Sequence, residues 1–63
     1  MAPHEERVFA EKMELDVKID KLGAFIGGDR FSALSDEARE LMERQLAFMR
    51  GYSGVLGERI DLF

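Results

Sequence analysis

An all-α fold, a two-helix antiparallel hairpin assembling into a homo-oligomeric helical bundle, is predicted by three features of this sequence. Apolar residues recur at helical spacing in two long segments. A glycine pair divides those segments, and the second carries more apolar surface than one partner helix can cover. The spacing predicts a single hairpin domain over 1–63, with a helix over about 3–26, a turn over 27–34 and a helix over about 36–62.

Size explains why association enters the expectation. A chain of 63 residues makes one small domain, and such domains bury only about 60% of the surface their unfolded chain exposes. Disulfides, a metal or another chain usually make up the difference. The sequence has no Cys, which excludes disulfides and thiolate metal sites. Its one histidine, His4, lies near the N-terminus and is read as solvated, so no metal is expected. Association with further copies is the remaining device.

In the first helix, Pro3 suits the opening turn, and Glu5 and Glu6 complement the positive helix N-terminus. Val8, Lys12, Leu15, Ile19, Leu22 and Ile26 alternate at spacings of four and three, which makes a seam for packing along a second helix. Lys12 interrupts that seam and can lay its stem on apolar surface while its ammonium reaches outward. Phe9, Met13, Val17, Ala24 and Phe25 lie beside it, and Glu14 and Lys18 are oriented favourably for an ion pair.

Gly27-Gly28-Asp29-Arg30 ends this helix, glycine being favoured there because it accepts a left-handed backbone. Phe31 and Leu34 plug the closed end of the hairpin. Ser35, followed by Asp36 and Glu37, reads as a helix N-cap with an acidic first turn. The second helix then carries two stripes. One is Met42, Leu46, Met49, Ser53, Leu56, Ile60 and Phe63; the other is Ala38, Leu41, Gln45, Phe48, Tyr52, Val55, Arg59 and Leu62. A single partner covers one stripe, so parts of Phe48, Tyr52, Val55 and Leu62, with Phe9 and Met13, should stay exposed unless another copy covers them. An antiparallel four-helix bundle or a larger ring is the simplest result.

Charge and hydropathy narrow the partners. The formal net charge is −4, whereas duplex-binding proteins gain affinity from phosphate contacts and are basic. DNA and anionic membranes are therefore not expected partners, and no apolar run reaches the roughly 18 residues of a membrane span. The start shows no signal-peptide pattern, so a location in the cytoplasm is expected.

Few residues carry chemistry. Gly51, Gly54 and Gly57 lie within a helix, where each costs about 0.5–1 kcal/mol relative to alanine. Close helix packing, a floor for a flat ligand, and a locally weak helix all account for them. Tyr52 follows Gly51, and the chain count places Lys12 or its neighbours opposite. An aromatic face, a cation and a bare backbone suit a nucleotide-like anion, while Tyr52 equally suits an interface aromatic. Arg50 and Arg59 can add anion contacts or pair with Glu58 or Glu5. Asp16 and Asp20 share a face and read as solvated. Nothing resembles a nucleophile–base set, a phosphate loop or a metal-ligand spacing, so neither catalysis nor a cofactor is expected.

The pattern His4-x-x-Arg7-Val8, Glu11-Lys12-x-Glu14-Leu15, Lys21-Leu22, Phe25-Ile26, Phe31-x-x-Leu34 continues as Leu46-x-x-Met49-x-x-Tyr52-x-x-Val55-Leu56-x-x-Arg59-Ile60. Over nearly the whole chain it resembles a family of very small phage and prophage proteins, relatives of a crAss-like phage gene product. In size and hairpin layout the chain is also similar to the phage sponges that sequester cyclic nucleotide messengers of CBASS and Thoeris immunity. The anti-CBASS sponges carry Tyr-His-Pro-Pro and Met-Trp-Ala-Asn segments, where this chain reads Ala2-Pro3-His4-Glu5 and Met49-Arg50-Gly51-Tyr52. Their ligand residues therefore do not transfer. The resemblance implies a phage accessory protein for immune evasion that holds a cyclic nucleotide at protomer interfaces without catalysis. Lys12, Arg50 and Arg59 would meet phosphates and Tyr52 would stack on a base. The alternatives are an acidic module that binds and inhibits a host protein, or a purely structural oligomer.

Overall fold

The computed structural model describes the whole chain, Met1–Phe63. Helix α1 spans Pro3–Ile26, a short helix α2 spans Asp29–Ser32, and helix α3 spans Asp36–Asp61. α1 and α3 pack antiparallel as a hairpin. The result is a rod with principal extents of 46 × 14 × 13 Å.

Local chemistry sets the helix ends. The Glu5 carboxylate accepts the Ala2 N–H at 2.8 Å, so an acid in the first turn satisfies an otherwise free donor. Ser35 caps α3, its Oγ accepting the Ala38 N–H at 3.1 Å. Arg39 returns from the first turn of α3 to the carboxylate of Asp36 and to the Ser32 carbonyl. The expected pair Glu14–Lys18 is not formed, and the two ion pairs present are Arg39–Asp36 and Lys12–Asp16.

The connection differs from expectation in two ways. Gly27 is right-handed, with φ −80° and ψ −1°, and no residue of the chain has positive φ. α1 keeps its regular bonding as far as Gly27, whose N–H donates to the Gly23 carbonyl at 3.1 Å, and then tightens, Gly28 N–H donating to the Phe25 carbonyl three residues back at 3.0 Å. Gly28 then extends the chain and starts α2, and a Cβ there would sit 3.4 Å from the Phe25 carbonyl. Within the turn, Asp29–Ser32 closes one further helical turn, stabilised by Ser32 Oγ donating to the Asp29 carbonyl at 2.7 Å.

The core is narrow. Val8, Leu15 and Leu56 form its buried centre, with Ile19, Met49 and Ile60 packed against them. Leu56 is 1% exposed, and full burial of such a side chain contributes about 1.5–3 kcal/mol. Aromatic rings close both ends of the rod. Phe31 is buried in the turn and meets Phe25 edge-on at 6.5 Å. At the open end Phe63 meets Phe9 at 6.0 Å and His4 at 6.2 Å, both edge-on, and His4 stays exposed as expected.

Candidate ligand-binding face

The two stripes of α3 have opposite fates. The stripe holding Leu46, Ser53 and Leu56 is buried, and it faces α1. The other stripe lies open: Phe48 is 72% exposed, and Leu41, Tyr52, Val55 and Leu62 are also exposed. Met13 and Val17 of α1 are uncovered too, whereas Phe9 is partly covered beside Phe63.

On the open stripe the side chains of Leu41, Arg44, Gln45, Phe48, Met49 and Tyr52 line a shallow groove of about 520 Å³. These residues follow one another at helical spacing on the same helix, so the groove runs along its axis. Two rings, Phe48 and Tyr52, stand one turn apart with the Arg44 guanidinium at the edge. Flat aromatic surface beside a guanidinium can stack a planar base and meet an anion. Of the groove residues the site expectation named only Tyr52, and Arg44 and Phe48 are the ones it missed that could engage such a ligand. Their spacing to Tyr52, at eight and four residues, was the available signal.

Lys12 sits elsewhere. Its ammonium donates to Asp16 Oδ2 at 2.8 Å and to Ser53 Oγ at 3.1 Å, while Ser53 donates to Asp16 Oδ1 at 2.5 Å. The structure thus pairs Lys12 with Ser53, one position beyond Tyr52. Ser53 belongs to the buried stripe, and one residue is about 100° around a helix, which turns Tyr52 toward the open groove. Asp16, read as solvated, is half-buried in this network and leaves Asp20 outside. The Lys12 hydrogen bond, then that from Ser53, holds the Asp16 carboxyl below its usual value of 3.8. The Lys12 stem lies over Gly57, whose added Cβ would meet Lys12 Cε at 3.5 Å.

Arg50 and Arg59 are exposed on α3 and take part in neither ion pair. A Cβ added at Gly51 or Gly54 would meet nothing within 4 Å in the protomer. Within one copy the backbone is bare there without any close approach to require it. No three His, Cys, Asp or Glu side chains converge as a metal-holding group. No helix is long and apolar enough to cross a membrane.

A family model described as Sequestin matches residues 2–62, almost the entire hairpin. The chain belongs to the Sequestin family. No curated protein and no solved structure matches it. The Sequestin match takes in both long helices, the polar Lys12–Asp16–Ser53 contact and the open groove alike.

Proposed function

We propose that this Sequestin-family chain is a phage accessory protein that sequesters a small cyclic nucleotide signal at interfaces between its own copies, without chemical turnover. Family membership over residues 2–62 is the observation that carries the reading, since the family is named for sequestration. The resemblance of the segment around Tyr52, Val55-Leu56 and Arg59-Ile60 to small phage and prophage proteins supports it. So does the groove, where Tyr52 and Phe48 offer ring faces to a base and Arg44 lies at the rim. In this reading Tyr52 stacks on a base and Arg59, on the same stripe, meets a phosphate, while Arg50, about 200° around the helix from Tyr52, joins from another copy; no carboxylate engages either arginine. Lys12 joins them where a phosphate oxygen replaces Asp16 as its partner.

Titration calorimetry of the purified protein against cyclic dinucleotides, cyclic trinucleotides and cyclic ADP-ribose isomers tests this directly. Binding of one class, weakened by Tyr52→Ala and by Arg59→Ala with the nucleotide recovered intact, is expected. Silence across the whole set at micromolar protein removes the proposal. The exposed apolar residues Leu41, Phe48 and Val55, on a chain of net charge −4, favour a second reading. There the face binds and inhibits a host protein, or builds a structural oligomer, and a stoichiometric protein partner or an unliganded assembly replaces the nucleotide.

A further inference from the structure

We propose that the open stripe of α3 is a coiled-coil seam for a second copy of this chain, the two α3 helices running antiparallel about a two-fold axis that passes beside Gly51. The proposal rests on the functional reading only in that copies meet, and it requires no nucleotide. Val55 and Tyr52 of the second copy occupy the groove, so a nucleotide is left the rim of the seam rather than the space between the Phe48 and Tyr52 rings.

The first support is period. Leu41, Phe48, Val55 and Leu62 are separated by seven residues each, and all four are exposed. Gln45 and Tyr52 interleave with them at alternating spacings of four and three. A seven-residue apolar repeat keeps its seam against a partner helix, and knobs from that partner insert into four-residue holes. The groove residues compose two such holes in succession: Leu41, Arg44, Gln45 and Phe48, then Gln45, Phe48, Met49 and Tyr52.

The second support is charge. In an antiparallel pair, core positions of one type face those of the other; of the registers this allows, the proposed one sets Phe48 of each copy level with Tyr52 of the other, Gln45 with Val55, and Leu41 with Arg59. That register brings Val55 of the second copy to the first hole and its Tyr52 to the other. It also fixes the flanking row on the side away from α1, which reads Glu37, Arg44, Gly51 and Glu58. Arg44 then faces Glu58 of the other copy, twice by symmetry, and Gly51 faces itself across the axis. Neither Arg44 nor Glu58 has an ion-pair partner within the protomer. The parallel alternative sets like residues level along this seam and creates no symmetric Arg44–Glu58 match. Gly51, bare and unobstructed in one copy, is then explained as the point of closest approach.

Reversal of charge and cross-linking test the arrangement without ligand. Sedimentation equilibrium should show a dimer of the wild-type protein, and Arg44→Glu should weaken it by roughly tenfold through like-charge juxtaposition with Glu58. Adding Glu58→Arg to that variant should restore the dimer. Because the chain has no Cys, Gly51→Cys should form a disulfide-linked dimer on mild oxidation, while Ala47→Cys, off the seam, should not. A monomer, a dimer indifferent to Arg44→Glu, or cross-linking at Ala47→Cys in preference to Gly51→Cys overturns the proposal. Calorimetry separates the two readings: a dimer of this geometry with no nucleotide bound leaves the seam standing and removes the sponge. Nucleotide binding by a protein that fails the cross-linking test does the reverse.

Discussion

The two faces of α3 are nearly matched in apolar residues and opposite in circumstance. Leu46, Leu56 and Ile60 lie against α1, while Leu41, Phe48 and Val55 face outward from the same turns. The difference arises from stoichiometry rather than from composition: one helix can cover about one stripe of another, and the hairpin supplies only one neighbour for α3. Stability of the single copy therefore resides on the inner face, and whatever the molecule recognises has the outer face available.

Truncation should separate the faces most strongly. Leu56→Ala removes the most completely buried side chain of the rod, and such changes cost about 2–5 kcal/mol. Chemical denaturation should show this loss at protein concentrations low enough to keep the chain monomeric. Phe48→Ala should leave monomer stability almost unchanged under the same conditions. An equal loss from both would erase the distinction.

A smaller effect is expected from Ser53→Ala, which withdraws the hydroxyl shared by Lys12 and Asp16 while the ion pair between them survives. The loss of a hydrogen-bonded group of this kind costs about 1 kcal/mol, read as a lower denaturation midpoint. Gly54→Ala should act in the other direction. An added methyl meets nothing within 4 Å there, so helix propensity alone should stabilise the chain by ~0.5–1 kcal/mol. A destabilised Gly54→Ala protein would show that this backbone is already covered.

The slightest effect concerns acid. Asp16 is held below 3.8 by Lys12 and then Ser53, so its ionised form is favoured by folding. That stabilisation is fully present above the ordinary carboxylate value and is lost as pH falls below 3.8 through the lower folded value. Thermal melts of Asp16→Asn should lack this portion of the acid-induced decline; identical pH profiles for the two proteins would remove Asp16 from the account.

The hairpin was legible because its signals are periodic. Val8, Leu15 and Ile19 repeat along α1 at spacings that only a helix brings onto one face, and Ser35 announces the start of α3 by its own chemistry. The short helix at Asp29–Ser32 was not legible, since four residues are too few to show a period. Asp16 was misread because attention to its own helix hides a partner 37 residues away. A usable signal existed: Lys12 breaks the apolar seam of α1 and Ser53 breaks that of α3. Two polar interruptions that meet are a contact written in the pattern. Of the candidate site, the outward position of Tyr52 could be read from its stripe, whereas Arg44 and Phe48 gained a role only once the groove had a shape.

The Lys12–Asp16–Ser53 contact also bears on how the rods can slide. The surrounding seam is built of Leu, Val, Ile and Met, side chains that would accept one another after a shift of a turn almost as well as before it. Moving α3 by one turn would set Lys12 against Met49 or Gly57, where no side-chain oxygen waits, and strip Asp16 of the Ser53 hydroxyl. A single polar tooth thus turns a greasy track into a ratchet with one resting place, and the heights of Tyr52 and Arg59 along the rod are set by it.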